Sequence, residues 1–208
     1  MSSCFKRTRV KKEVAKIEPK KHSRHIALIV GHTKKKPGAF SPFLKKHEYK
    51  YNTEFARLIR GEAERASLSC SIHFRDQGGV SGAYIDAVKS EPACIIELHF
   101  NAFNTRVSGS EILINERDDE PGLKERELAT TLQNRIASTL GNTNRGIKSR
   151  ASKGERGFYS LSRTSKIPSM ILEPFFGDND VDARNFDYKK KQAAQVIVRT
   201  IREFINGH

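Results

Sequence analysis

The chain has 208 residues, a length that suits one compact domain with a short appendage and argues against a multidomain protein. Hydrophobic residues make up 37% of it and charged residues 30%, which is enough apolar material for a core, but the longest aliphatic run, residues 26–30, is far too short to span a membrane. Lysine and arginine total 38 against 24 aspartate and glutamate, a net charge of +14.

Half of this positive charge lies in residues 1–24, where nine lysines and arginines stand against two glutamates. The stretch has too little apolar surface to offset the entropy lost on ordering, so we predict a basic, flexible arm followed by one folded domain, residues 25–208. The arm lacks the apolar segment of a secretory signal.

Cys4, Cys70 and Cys94 form no disulfide pattern, which predicts reduced thiols in a protein made in a cytoplasm.

Strand-like and helix-like segments alternate from residue 25 onward. In chain order we predict a strand at 25–31, a helix at 49–66, a strand at 68–75, a helix at 81–89, strands at 93–99 and 110–115, a helix at 121–140, an exposed glycine-rich loop at 141–157, strands at 158–161 and 169–173, and a helix at 188–205. This order predicts a single α/β domain, in which a mostly parallel, twisted sheet of about six strands is covered by helices on both faces. Ligands are expected at the carboxyl ends of the strands.

Four side chains are candidates for chemistry because of where they fall. His32 follows the first strand, Glu48 opens the first helix, His99 ends the third strand and Glu173 ends the last one. Two imidazoles and one carboxylate form an open zinc site, in which the fourth position is left for water. Each residue alone could simply cap or hydrogen-bond, and Glu48 could be an acid favoured by the helix dipole. The convergence of all four on one sheet edge favours the zinc site.

Seven short segments around these residues add a second kind of evidence. They are residues 29–32, 38–39, Glu48 with Asn52, 97–102, 108–111, 144–147 and 167–173. In this order they resemble the type 3 family of zinc-dependent N-acetylmuramoyl-L-alanine amidases, found in bacterial cell-division enzymes and phage endolysins. The resemblance covers roughly residues 25–206, which is everything except the arm.

The resemblance implies that His32, Glu48 and His99 bind zinc and that Glu173 is the catalytic carboxylate. The bond cleaved would be the peptidoglycan amide between N-acetylmuramic acid and L-alanine. In this mechanism the zinc ion lowers the pKa of a bound water and polarises the scissile carbonyl, while the carboxylate transfers the proton.

Three further residues are candidates for contact with the substrate. Asn101 and Glu111 would touch the substrate or support the zinc-binding histidines, and the alternative is a purely structural role. Arg145 would bind a carboxylate of the stem peptide, and the alternative is a solvated loop charge.

Two other functions compete with this interpretation. A zinc peptidase acting on the peptidoglycan stem peptide would need the same metal and base. The net charge suggests a nucleic-acid-binding protein, but the chain has no tryptophan and the arm has only Phe5 for base stacking, which argues against it.

The expected setting is a bacteriolytic, and hence antimicrobial, phage or prophage endolysin that acts on the cell wall after release. The expectation rests on the absent signal segment, the single domain and the basic arm. Two roles are expected for the arm: it engages anionic wall or outer-membrane polymers, or it tethers the enzyme to a virion component.

Overall fold

The structure is a computed structural model that describes residues 23–164 and 166–207. Its elements in chain order are β1 (His25–Val30), β2 (Phe40–Ser41), β3 (Lys46–His47), α1 (Glu48–Arg65), β4 (Ser69–Phe74), α2 (Gly79–Lys89), β5 (Cys94–Leu98), β6 (Ser110–Asn115), α3 (Glu120–Leu140), β7 (Asn144–Arg150), α4 (Phe158–Leu161), β8 (Ser169–Glu173) and α5 (Asp180–Asn206). Residues 1–22, with Cys4 and most of the predicted arm, lie outside the described part, so the boundary at residue 24 stays a prediction.

The main sheet has six strands in the order β4-β1-β5-β8-β6-β7. Strands β4, β1, β5 and β8 are parallel, whereas β6 runs antiparallel to β8 and pairs in parallel with β7. The predicted fold class is therefore confirmed. Because β6 is reversed, its first residues lie at the same edge as the last residues of β5 and β8.

Both faces of the sheet are covered, which explains the continuous apolar run in β1. Ile26, Leu28 and Val30 pack in the larger core with α1, α3 and α5, while Ala27 and Ile29 face α2 on the other side. Successive side chains of a strand point to opposite faces, so a strand buried on both faces is apolar at every position. Near the far end of the second face, Leu161 of α4 packs against β6 and β8.

Two sequence-based predictions were wrong. The predicted loop at 141–157 contains β7, and the predicted strand at 158–161 is the short helix α4. Among the described strands, β7 lies at the edge of the sheet beside β6 and is polar and half-buried, so it lacks the apolar alternation of a core strand. A four-residue apolar run such as the one in α4 fits a helix or a strand equally well.

The last helix begins eight residues earlier than the pattern at 188–205 predicts. Asn179 caps it, because its side-chain oxygen accepts from the main-chain N–H groups of Val181 and Asp182 at 3.1 Å. Asp180 and Asp182 add negative charge to the first turn. The polar first turns carry no apolar periodicity, so only the capping residues indicate the true start.

The cysteines that the structure describes are free. Cys94 is buried and Cys70 is half-buried, and burial raises the pKa of each thiol to about 12. These thiols are therefore protonated at neutral pH, the form that is a poor nucleophile. In the described ranges no helix is both long and apolar enough to cross a membrane.

A buried carboxylate ties the sheet to α3 at the edge opposite to the strand ends that carry the candidate residues. Glu125 accepts from the N–H of Asn115 at 3.0 Å and from the N–H of Ser169 at 2.9 Å, and it pairs with Arg117 at 3.0 Å. Its side chain is fully buried. A single side chain on α3 thus fixes the end of β6 and the start of β8.

We predict that Glu125→Ala lowers the free energy of unfolding by about 3 kcal/mol, because it leaves one buried and one half-buried N–H group without their acceptor and removes the anion beside Arg117. Urea unfolding followed by circular dichroism measures this loss. The matched control is Glu127→Ala, an exposed acid on the same helix, which should change stability by less than about 0.5 kcal/mol. Equal effects of the two substitutions would contradict the structural role of Glu125.

Candidate metal centre

Three separate segments bring His32, Glu48 and His99 together. His32 lies two residues after the end of β1, Glu48 is the first residue of α1, and His99 directly follows β5, the neighbour of β1 in the sheet. One potential ligand atom from each residue lies within 4.8 Å of the other two. We call these three residues the His–Glu–His cluster. Among the described residues it is the one group of three or more His, Cys, Asp or Glu side chains with this spacing.

The carboxylate of Glu48 is the centre of the cluster. Oε2 lies 3.0 Å from Nε2 of His32, and Oε1 lies 2.7 Å from Nδ1 of His99. Two main-chain N–H groups also donate to this carboxylate, Phe100 at 3.0 Å and Ala39 at 3.3 Å. The carboxylate is thus oriented by contacts with two imidazole nitrogens and by two main-chain N–H donors.

The charge state of Glu48 follows from this environment. Burial would raise the pKa of the carboxyl, but hydrogen bonds from His32 and His99, together with their charges, lower it to about 2. The carboxylate is therefore ionised at neutral pH. A buried anion flanked by two imidazoles is a strong attractor for a cation.

Gly31 allows the histidines to approach each other. A Cβ atom at this position would lie 2.4 Å from both Cε1 and Nε2 of His99, much closer than atoms can pack. His32 itself has a φ of +66°, a conformation uncommon for residues other than glycine. The turn after β1 therefore combines a glycine that makes room for one imidazole and a left-handed residue that presents the other.

A buried ion pair supports His99 from behind. Nε2 of His99 lies 3.2 Å from Oε1 of Glu97, which also pairs with Arg75, while the Tyr84 hydroxyl donates to Oε2 at 2.9 Å. The side chain of Glu97 is fully buried and that of Arg75 is 13% exposed. Glu97 therefore fixes the orientation of the His99 ring through the nitrogen that faces away from Glu48.

The other sequence-predicted site residues lie beside the cluster. Glu173 is 3% exposed, and burial raises its pKa whereas Arg156 lowers it. Asn101 donates to Glu111 at 2.8 Å, and Arg145 donates to the other oxygen of Glu111 at 2.8 Å. The structure thus joins Asn101, Glu111 and Arg145 in one network, while their contact with a substrate stays a prediction.

One pocket of about 380 Å³ is lined by all three cluster residues and by Glu173, together with Arg156. A larger cleft of about 610 Å³ lies beside Tyr49 and Asp76. No group of potential metal ligands lines that cleft in the described ranges. We therefore take the smaller pocket as the candidate site, because it holds both the possible ligands and an adjacent buried carboxyl.

The sequence interpretation missed four residues of this site: Glu97, Arg75, Tyr84 and Arg156. Glu97 could have been found, since it lies two residues before His99, and this spacing puts two side chains on the same side of an extended chain. The sequence around Arg75 and Tyr84 gives no such indication, because their partner, Glu97, belongs to a different element, β5. Arg156 belongs to a turn, where no periodicity indicates what a side chain meets.

Comparison with known proteins gives a family match. The sequence profile of the type 3 N-acetylmuramoyl-L-alanine amidases matches residues 26–203. No curated protein sequence matches the chain.

Solved structures share the fold. Cwp6 from Clostridium difficile superposes with a TM-score of 0.74 at 23% identity over 87% of this chain, which spans 29% of that protein. The catalytic domain of CwlV, an N-acetylmuramoyl-L-alanine amidase from Bacillus (Paenibacillus) polymyxa var. colistinus, has a TM-score of 0.71 at 18% identity, covering 88% of this chain and 98% of that one. The catalytic domain of the CD27L endolysin targeting Clostridia difficile has a TM-score of 0.64 at 23% identity, covering 88% and 97%.

The buried pair behind His99 can be tested by unfolding. We predict that Arg75→Met lowers the free energy of unfolding by about 3 kcal/mol, because it leaves the charge of Glu97 buried without its cation. In a Glu97→Gln background, which has no such charge, the same substitution should cost much less. Urea unfolding of all four proteins gives the coupling energy between the two side chains. Equal losses in both backgrounds would show that the ion pair does not stabilise the site.

Proposed function

This chain belongs to the type 3 family of N-acetylmuramoyl-L-alanine amidases, and we propose that it cleaves peptidoglycan with a zinc ion held by His32, Glu48 and His99. The bond proposed is the amide between N-acetylmuramic acid and L-alanine. The observation that carries the proposal is the convergence of the His–Glu–His cluster and Glu173 on one pocket.

The donor atoms of the cluster suit zinc. Zinc binds imidazole nitrogen and carboxylate oxygen at about 2.0–2.2 Å, so atoms around one ion lie about 3–4 Å apart. The contacts of Glu48 with His32 and His99, at 3.0 and 2.7 Å, together with a cluster span of 4.8 Å, are close to this arrangement. Three protein ligands leave a position open, as in catalytic zinc sites.

His99 is prepared for such a role by Glu97. When Nε2 donates its proton to the carboxylate of Glu97, the lone pair of Nδ1 faces the space beside Glu48. Carboxylates that fix a ligating histidine in this way also increase its basicity. The support comes from a residue buried in the sheet, so the ring orientation is set before any ion binds.

Zinc, when bound, supplies Lewis-acid activation of water and of the scissile carbonyl. Glu173 carries out the proton transfers. Its carboxylate accepts a proton from the attacking water, and the resulting carboxylic acid donates that proton to the nitrogen of L-alanine as the C–N bond breaks. Burial of Glu173 raises its pKa, which makes the group a stronger base and helps it to hold the proton between the two transfers.

We predict that Glu173→Gln lowers kcat about 10²–10⁴-fold with zinc content unchanged, because the amide cannot accept the proton. The measurement is mass spectrometry of the products released from purified peptidoglycan, with chelated wild-type protein as the metal-free control. Intact stem peptides with a free L-alanine amine, lost in both the variant and the control, are expected.

Fragments cut within the stem peptide would move the assignment to a zinc peptidase. A wild-type rate in the Glu173→Gln variant would show that Glu173 does not take part in the reaction. Products that still form after chelation would show that the reaction does not need zinc.

We propose phage-driven lysis of the host wall as the biological setting. The fold similarity to the catalytic domain of the CD27L endolysin supports this setting. The net charge of +14, half of it within residues 1–24, supports a role of the arm in attraction to anionic wall or outer-membrane polymers.

The role of the arm predicts salt-sensitive binding. Retention of the full chain on purified walls should fall steeply between low and physiological salt, because the attraction is screened. Replacing Lys11, Lys12, Lys20 and Lys21 by glutamine should reduce retention at low salt. Retention that responds to neither change would count against the arm as the wall-binding element.

A further inference from the structure

The guanidinium of Arg156 connects Glu173, which lines the pocket, with two side chains behind it, Glu111 and Asn101. Nη2 donates to Oε2 of Glu173 at 3.0 Å and lies 3.4 Å from Oε1 of Glu111, while Nη1 donates to Oδ1 of Asn101 at 3.2 Å. Glu111 and Glu173 face each other in register on β6 and β8, and their side chains are 6% and 4% exposed. Two buried carboxylates on paired residues of neighbouring strands repel each other unless a cation lies between them. Arg156 supplies that cation.

The main chain holds Arg156 in this place. Residues 151–157, which we call the Arg156 turn, are closed by Glu155, whose carboxylate accepts from the N–H groups of Ala151 and Ser152 at 2.7 and 2.8 Å. Arg150 donates to the carbonyl oxygen of Arg156 at 2.9 Å. The contact with Glu173 is therefore supported by a turn with its own hydrogen bonds.

Gly157 sets how closely the Arg156 turn approaches the sheet. Its φ is +90°, and a Cβ atom there would lie 2.7 Å from Cδ1 of Ile171 and 3.2 Å from Cδ2 of Leu113. Both neighbours belong to the strands that carry the two carboxylates. Only glycine lets the turn lie directly on β6 and β8, next to Glu173.

Building on the proposed function, we propose that Arg156 is a positioning residue that keeps Glu173 ionised and aimed into the pocket, ready to accept a proton. Without it, Glu173 would be a buried carboxyl beside a second carboxylate, and the protonated form, which cannot act as a base, would be favoured. The side chain of Arg156 is 57% exposed, so its attraction is moderated by solvent. This moderation leaves Glu173 basic enough to accept a proton.

The charged surroundings of Glu173 agree with this role. Burial raises its pKa, Arg156 and then His99 lower it, and Glu111 and Glu48 raise it. The charged groups that face it or line its pocket are His32, Glu48, Arg75, His99, Glu111 and Arg156, with Arg145 behind Glu111. Of the arginines, Arg156 is the one in hydrogen-bond contact with Glu173 in the described ranges. Its removal therefore raises the pKa of Glu173.

The direct test is carbon-13 NMR of the glutamate carboxyl groups in metal-free protein, with Glu173→Gln to assign the signal. We expect Arg156→Ala to raise the pKa of Glu173 by about one unit. Arg156→Lys keeps the positive charge but loses the second terminal nitrogen of the guanidinium, and it should raise the pKa of Glu173 by a smaller amount. Arg163→Ala, at an exposed arginine nearby, should give none. An unchanged pKa in Arg156→Ala would overturn the proposal.

The kinetic test is the pH dependence of kcat/KM on peptidoglycan fragments. Glu173 must be deprotonated to act as a base, so a higher pKa in Arg156→Ala moves the acid limb of its profile to higher pH. At a pH below the acid limbs of both proteins, kcat/KM of the variant is then about tenfold lower than that of the wild type. A raised KM at every pH with an unmoved limb would make Arg156 a substrate-binding residue and overturn the proposal. Wild-type protein without amidase activity would instead overturn the proposed function, and the NMR result would still decide the effect of Arg156 on Glu173.

Discussion

The buried carboxylate of Glu48 is the contact on which the candidate centre depends. It accepts from two main-chain N–H groups and lies within 3.0 Å of ring nitrogens of His32 and His99, and these partners come from the segments just after β1 and β5 and just before β2. The first turn of α1 must therefore lie against the sheet edge, and the N–H of Glu48 itself donates to Ala39 at 2.9 Å to hold it there. The hydrogen bonds keep the carboxyl ionised despite its burial, so an anion is present where a cation would bind.

The sheet topology explains why the remaining residues meet this anion. Strands β1, β5 and β8 are neighbours and parallel, so the residues that follow or end them share one edge. The reversed strand β6 starts at that edge and adds Glu111 opposite Glu173. Most of these side chains thus belong to, or closely follow, strands and a helix that are packed into the core. The expected consequence is a site held rigidly by the scaffold, with the Arg156 turn as the part supplied by a loop.

The sequence allowed the prediction of the fold class and of the four residues at strand and helix ends. The strand β1 is a continuous apolar run, the helix α1 has apolar residues at helical spacing, and the residues after parallel strands lie at a common edge. Strand β7 was missed because an edge strand has no apolar alternation, and α4 because four residues do not define a period. The contacts of Glu97 with Arg75 and of Arg156 with Glu173 join residues 22 and 17 positions apart through tertiary structure. No local pattern encodes such contacts.

The most direct test of the His–Glu–His cluster as the zinc site is anomalous X-ray diffraction. Data are recorded on both sides of the zinc absorption edge from crystals of the zinc-loaded chain. We predict one strong peak about 2.0–2.2 Å from a nitrogen of His32, a nitrogen of His99 and a carboxylate oxygen of Glu48. A peak away from these residues, or an ion bound by Glu173 in place of Glu48, would contradict the assignment of the cluster as the zinc site.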